Sequence, residues 1–403
     1  MDISEIWEQL AGDGARIVYL VIDGGGGLAH PRTGLSALQA AHTPNLDRVA
    51  QAGSCGLLEL VGPGITPGSG PGHLALFGYD PLRYRIGRGL LSALGIDFPI
   101  RPGDLAARVN FATLDDDGAV TDRRAGRIGS ELNAALCARV LDALELDFGG
   151  EVFLQTVSGH RAVLVLRGPT LDDAVTDTDP QRSGVAPEQA RATDVKSEPT
   201  AQLLNAIVEQ ARTALSDRDS ANGILLRGLQ RYDPLPTLED RFGLRGLCLA
   251  RYPMYRGLSR LLGMDLLDPP ADFGAAVAAL RAHYDDGHGL YFLHVKETDK
   301  AGEDGDFDAR VAALEALDRE LEALLDMQPD VLAVTADHST PALLGAHSWH
   351  PVPLVVHSAM ARRDSVERFD ELACAAGVLG LRPGLHLMGL ALANAGRLRK
   401  FGA

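Results

Sequence analysis

Residues 331–336, Val-Leu-Ala-Val-Thr-Ala, form an unbroken apolar and β-branched run that stops at Asp337-His338-Ser339-Thr340. Such a run reads as a buried strand. A carboxylate and an imidazole placed where a strand stops are well sited as metal ligands, because the rigid strand fixes where they point. The same grammar recurs along the chain. Residues 16–22 are a continuous apolar run ending at Asp23, and residues 289–294 lead into Asp299 and Glu303. Ser69 lies in a Gly/Pro-rich loop, and His347 returns from a loop after the last of these strands. Strands of this kind predict an α/β fold with a mainly parallel sheet. In an open α/β sheet the strand ends share one edge, where ligands bind. Asp23, Ser69, Asp299, Glu303, Asp337, His338 and His347 are therefore expected to meet as one divalent-metal site around a serine nucleophile. Mixed Asp/His ligation suits Mn²⁺ or Zn²⁺, and Mg²⁺ less well because of the imidazoles.

A chain of 403 residues exceeds one ordinary core, so two domains are expected. Its hydrophobic content, 46%, is that of a soluble globular protein. No apolar run reaches the ~18 residues of a membrane helix, and the acidic start at Met1-Asp2-Ile3-Ser4-Glu5 lacks the features of a signal peptide. Cys55, Cys137, Cys248 and Cys374 are far apart and form no CxxC pair. They read as reduced packing residues of a cytoplasmic protein, not as a disulfide framework or a zinc site. A net charge of −16, from 54 acidic and 38 basic residues, argues against a nucleic-acid partner. It permits a small anionic substrate, because local arginines override a global field. No feature bears on oligomeric state.

Asp23 is followed by Gly24-Gly25-Gly26-Gly27, which lets backbone approach a ligand closely. No GxGxxG opens a helix there, so a dinucleotide site is disfavoured; Asp23 alone could be a turn residue. The next helix is expected from Thr43, as N-cap, and Pro44. Ser69 precedes a helical stretch; it is either an N-cap or an exposed nucleophile beside N–H groups that can hold a phosphate. Residues 122–127, Asp-Arg-Arg-Ala-Gly-Arg, carry three arginines and read as an anion clamp or a solvated turn. A hairpin is expected around Ser158-Gly159-His160-Arg161, a long loop over 168–199 and an amphipathic helix over 200–216. Residues 105–222 are assigned to an inserted domain, with the core, 1–104 and 223–403, resuming at Gly223. Arg251, Arg256 and Arg260 flank a short helix. Asp299 and Glu303, four apart, share one helical face. Their mutual repulsion suggests a shared cation; the alternative is an acidic helix start favoured by the dipole.

Several segments together resemble the cofactor-independent phosphoglycerate mutases of the archaeal type, within the alkaline phosphatase superfamily. They are residues 21–24, 43–47, 67–73 with 78–81, 110–113, 122–127, 177–180, 294–299, 337–341 and 347–348, and they span nearly the whole chain. The resemblance implies an alkaline-phosphatase-like three-layer core with a smaller inserted α+β domain, and two metal ions. One would be held by Asp23, Ser69, Asp337 and His338, the other by Asp299, residue 303 and His347. It implies that Ser69 is phosphorylated during turnover and that the inserted domain closes over the substrate with its arginines. The implied reaction interconverts 3- and 2-phosphoglycerate. Lys296 is then a candidate stabiliser at the reacting oxygens or a surface lysine. The substrate-binding set is Asp122, Arg123, Arg124, Arg127, His160 and Arg256. Rivals are a phosphatase or other phosphotransferase sharing Ser69 and the metals, and a catalytically silent metal-binding homologue. The family pattern has His in place of Glu303 and Asp-Thr-Ala before the histidine where this chain has Gly70-Pro71-Gly72; His350 stands where a small acidic residue is usual.

Overall fold

A computed structural model describes residues 3–402, so Met1 and Asp2 of the acidic start lie outside the described residues. After the helix Ile3–Leu10, the first strands are β1 (Ile17–Ile22) and β2 (Ser54–Glu59). The chain spends β3 (Leu105–Leu114), β4 (Val120–Asp122), β5 (Glu151–Ser158), β6 (Arg161–Arg167) and β7 (Gly223–Arg231) on a second sheet. It returns with β8 (Gly246–Cys248), β9 (Asp265–Leu266), β10 (Leu290–Val295), β11 (Val331–Thr335), β12 (Val352–Ser358) and β13 (Gly380–Pro383). One compact unit takes the chain up to Arg85 and from Pro236 onward; the other is Ile86–Leu235.

The larger unit holds an eight-stranded sheet in the order β13-β2-β12-β11-β1-β10-β8-β9. β1 is central and pairs in parallel with β10 on one side and β11 on the other. Only β12 runs against both of its neighbours. Alternation along β1 supplies both faces. Val18, Leu20 and Ile22 enter a core shared with Leu314, Leu317 and Leu321 of the helix Phe307–Leu325. Tyr19 points the other way, onto Phe77, the C-cap of the helix Ser69–Leu76, and Met388 of the helix His386–Asn394. Helices thus cover the sheet on both faces, and the result is the predicted mainly parallel α/β architecture.

The helix Pro44–Ala52 starts where expected, with Pro44 at its first turn, but Thr43 makes no side-chain cap. The buried Asp318 carboxylate takes that role, accepting from the N–H groups of Asn45 (3.1 Å) and Leu46 (2.8 Å). A cap from a residue far along the chain leaves no local signature.

The second unit is built on β7-β3-β6-β5, all antiparallel, with β4 on the end of β3. Its own core joins Val109, Phe111, Leu164, Leu204, Ile207, Ile224 and Leu226. The hairpin β5–β6 turns at Gly159, and the amphipathic helix is Glu198–Ala214. The expected limits, 105–222, differ from the observed ones. β7, read from sequence as the return to the core, pairs with β3 from Leu105 to Ala112. The helix Arg88–Gly95 also belongs here, with Gly89 against the backbone of Ala106 and Ala107. An apolar strand announces its burial, but not which sheet it will join.

Candidate metal centre and serine site

Asp23 follows β1, Asp337 and His338 follow β11, and Asp299 lies four residues past β10. Because β10, β1 and β11 are adjacent and parallel, these residues emerge at one sheet edge. Ser69 does not sit at a strand end. It opens the helix Ser69–Leu76, with Gly68 as N-cap, ten residues past β2, so Ser69 is not itself the cap. That helix presses on the Asp337 backbone through Gly72, where any Cβ would collide with the Asp337 carbonyl. The acidic stretch after β10 is the helix Glu297–Glu303, which places Asp299 and Glu303 on one helical face as their spacing predicts.

The side chains converge tightly. His338 Nε2 lies 3.3 Å from Asp23 Oδ1, 3.3 Å from Asp337 Oδ2 and 3.2 Å from Ser69 Oγ. Asp23, Asp337 and His338 are fully buried, and their ligand atoms lie within 4.8 Å of one another. Asp23 Oδ1 and Asp337 Oδ2 have no hydrogen-bond partner among the described residues. Buried carboxylate oxygens without partners are costly unless a cation takes them up, so this donor set fits a divalent ion. Thr340 Oγ1 donates to Asp299 Oδ1 at 2.7 Å and so accepts from His338 Nδ1 at 2.9 Å. That turns His338 Nε2 toward the two carboxylates and Ser69, where it would serve as a ligand atom once its proton is given up to an incoming ion.

A second group joins Asp299, His338 and His347, again within 4.8 Å. His347 Nδ1 must donate to the Pro67 carbonyl at 3.1 Å, which frees Nε2 to face Asp299 at 3.6 Å and Glu303 at 3.8 Å. Glu303 is half exposed, unlike buried Asp299, and lies at the edge of the group. Lys296 joins the two groups, with Nζ 2.9 Å from Asp23 and 2.6 Å from Asp299.

The charges are mutually supporting. Burial would raise the Asp23 pKa, but His294, His338 and Lys296 outweigh it and hold the carboxyl well below its usual range. Burial and Asp23 both push Asp337 up; His338 and His73 overcome them and keep it ionised. Burial opposes charge on Lys296, yet Asp23 and Asp299 raise its pKa, so it stays an ammonium.

Tyr255 is a site residue that sequence reasoning missed. Fully buried, its phenol donates to Asp23 Oδ2 and lies 3.5 Å from Lys296 Nζ, and burial with Asp23 and Asp337 keeps it protonated. Its ring packs 3.8 Å from that of His294 and 4.7 Å from that of His73. His73 and His294 lie 3.2 Å from Asp337 Oδ2 and Asp23 Oδ2 respectively. Tyr255 sits in an amphipathic helix, Pro253–Leu261, where an aromatic reads as ordinary core. The available signal was its place beside Arg256. Arg256 itself donates to the Leu267 carbonyl at 2.8 Å.

In the second unit Asp122 accepts from the N–H groups of Arg124 (2.8 Å) and Gly126 (2.6 Å), which hold its pKa down. Arg123 forms a bidentate pair with buried Asp179, at 2.9 and 2.7 Å. Arg124 and Arg127 are exposed, on a turn in which Ala125, Gly126 and Arg127 all have positive φ, at 48°, 66° and 57°. Two non-glycine residues held there store backbone strain of a kind that gathers at functional sites. His160 is buried beside Arg161, Arg124 and Arg108; burial first, then these charges, push its pKa down to about 4, so its imidazole is neutral near pH 7.

The sequence model of a family described as 2,3-bisphosphoglycerate-independent phosphoglycerate mutase matches residues 50–220. A Thermus thermophilus protein named a probable 2,3-bisphosphoglycerate-independent phosphoglycerate mutase is 47% identical, over 100% of both chains. A Deinococcus radiodurans protein of the same name is 48% identical over 96% of each.

This chain belongs to that mutase family.

Among solved structures, the cofactor-independent phosphoglycerate mutase of Thermoplasma acidophilum is 32% identical with a TM-score of 0.71, covering 95% of this chain and 100% of that one. A Pyrococcus horikoshii protein shares the fold at 27% identity and a TM-score of 0.82, covering 97% of this chain and 100% of that one. The fold carrying the serine and the carboxylate–histidine groups is thus the mutase fold. Among the described residues no helix is long and apolar enough to cross a membrane.

Proposed function

We propose that this protein is an isomerase that interconverts 3- and 2-phosphoglycerate, without 2,3-bisphosphoglycerate, through a phosphorylated Ser69. The observation that carries this reading is the Ser69 hydroxyl, 3.2 Å from His338 Nε2 and beside unpartnered oxygens of Asp23 and Asp337. It lies in a chain 47% identical, end to end, to a protein bearing the mutase name.

Asp23, Asp337, His338 and Ser69 would hold one divalent ion; Asp299, Glu303 and His347 would hold the other. When bound, the ions would supply Lewis-acid stabilisation of the serine oxygen and of charge on the transferring phosphoryl group. Mn²⁺ is favoured over Mg²⁺ because each group contains imidazole. The protein's own part is positioning. Ser69 Oγ forms a bond to phosphorus as the bond to the glycerate oxygen breaks, and the proton that Ser69 gives up balances the one that oxygen takes on. The glycerate reorients, and its other hydroxyl attacks the phosphoserine; the P–Oγ bond breaks, and the proton lost by that hydroxyl balances the one regained by Ser69. Lys296 keeps a fixed positive charge beside Asp23 and Asp299 throughout. Arg124 and Arg127 pair with the anionic groups of the substrate, and neutral His160 offers a hydrogen bond; Asp122 holds their turn in shape. Arg123 and Arg256 contribute by fixing the elements around them, since their guanidinium groups bond Asp179 and the Leu267 carbonyl. The reaction would serve glycolysis or gluconeogenesis in the cytoplasm, in keeping with four buried free cysteines.

The test is an isomerisation assay on 3-phosphoglycerate with Mn²⁺ while free phosphate is followed. Appearance of 2-phosphoglycerate without phosphate is expected. Stoichiometric phosphate release would make the protein a phosphatase using the same serine, and inactivity with metal bound would make it a silent homologue.

A further inference from the structure

Gly24-Gly25-Gly26-Gly27 was expected to let backbone approach a ligand, and the group it meets is a side chain of this protein. Arg310 lies on the buried stripe of the helix Phe307–Leu325, between Phe307 and Leu314, where a hydrophobic residue would be usual. It is 1% exposed, and the acids that act on its charge, Glu371 and Asp299, do so at a distance, without a hydrogen bond to it. Its Nη2 donates to the carbonyls of Gly24 (2.6 Å), Gly25 (2.9 Å) and Gly26 (2.7 Å), and its Nη1 donates to the Thr340 carbonyl. Burial lowers its pKa to about 10, against the pull of Glu371 and Asp299, so it remains charged.

The partners of this guanidinium belong to the segments that carry the metal donors. Gly24 directly follows Asp23, and its N–H donates to Asp337 Oδ1 at 3.1 Å. Thr340 follows Asp337 and His338 and hydrogen-bonds both His338 and Asp299. Gly302, between Asp299 and Glu303, lies so close that a Cβ there would stand 2.8 Å from Arg310 Nη1. A Cβ at Gly24 would stand 2.5 Å from Thr340 Oγ1 and 2.8 Å from Asp299 Oδ1, which is why no side chain is tolerated. Glu371 accepts from the Gly27 N–H at 2.7 Å.

We propose that Arg310 is a positioning residue for both metal groups: its guanidinium fills a cradle of four backbone carbonyls and locks the loops after β1 and β11 into the register that brings their ligands together. Lysine cannot replace it, because an ammonium lacks the planar fork that reaches two loops at once. The proposal rests on the two-ion reading above.

The test is Mn²⁺ titration followed by electron paramagnetic resonance, with thermal unfolding of the metal-free protein measured in parallel. Wild type is titrated first; if it binds no ion, the two-ion reading fails, whatever Arg310 does. Arg310→Met and Arg310→Lys are compared with Leu314→Ala, which damages the same helix face without touching either loop. Both Arg310 variants are expected to lose about ten- to hundredfold in affinity at both ions, as removal of ligand-orienting groups does. Leu314→Ala should lower the unfolding temperature and bind Mn²⁺ as wild type does. Wild-type affinity in folded Arg310 variants overturns the proposal, as does an equal loss of affinity in Leu314→Ala. Arg310→Lys keeps the charge and decides the matter where Arg310→Met does not fold.

Discussion

Ser69 works only if its oxygen is both reachable and activated, and no neighbouring hydroxyl replaces it: Thr340 is committed to Asp299 and His338. Ser69→Ala should therefore remove at least about 99% of mutase activity, a loss within what removing a catalytic nucleophile costs, with the far-UV circular dichroism unchanged. Appreciable turnover in that variant would rule out a phosphoserine route. A second residue-scale consequence concerns acid. His160 titrates at about 4 in the folded chain, against roughly 6.5 when unfolded. Between those values the unfolded chain binds the extra proton, so stability is lost as pH falls from about 6.5 to 4. His160→Gln cannot bind that proton in either state. Its urea midpoint, measured at several pH values, should fall less steeply over that window than that of wild type. Parallel slopes would show that burial and the surrounding arginines do not depress the imidazole pKa.

At the scale of elements, the turn between β4 and the helix Ser130–Ala143 holds two exposed arginines in a strained backbone. Arg124→Ala and Arg127→Ala should each cost roughly 1.5–3 kcal/mol of transition-state binding, or about ten- to hundredfold in kcat/KM, with little change in thermal stability. Unaltered kinetics in both would make this a solvated turn. The helix Glu297–Glu303 poses a sharper question, since Glu303 approaches His347 from a half-exposed position while Asp299 is buried. Glu303→Gln should lose one of two ions on elemental analysis and most of the activity. Glu303→His should keep both ions and shift preference toward Zn²⁺. Two tightly held ions in Glu303→Gln would leave the second group to Asp299, His338 and His347. These elements also mark what was legible in the sequence. Strands buried on both faces declare themselves by composition, and so do the polar residues that end them, which is why the convergence of Asp23, Asp337 and His338 was legible. Contributions made across the chain do not. Tyr255 reads as core, Arg310 as a misplaced charge in an apolar stripe, and Asp318 as one more surface acid, because each gains its role from a partner hundreds of residues away or on another element.

At the scale of the molecule, the unit Ile86–Leu235 has its own sheet and core, and its two ends meet where the Gly87 N–H donates to the Gln230 side chain. Expressed alone, this segment should fold cooperatively, with an amide exchange pattern matching that of the same residues in the full chain. A disordered fragment would mean its core needs the rest of the protein. The larger unit has the opposite character. Its central strand, β1, finds its pairing partners only in β10 and β11, which begin at Leu290 and Val331. At ribosomal rates of about 5–20 residues per second, an apolar Ile-Val-Tyr-Leu-Val-Ile segment waits on the order of 15 to 60 s before either edge is covered. Late in that interval, once Leu235 has been made, the nascent chain carries a complete second unit downstream of a strand that is still unpaired. Its vulnerability during synthesis therefore lies near the amino terminus, in residues 17–22, and a trigger-factor-like holdase that binds short apolar segments is the kind of helper this topology calls for.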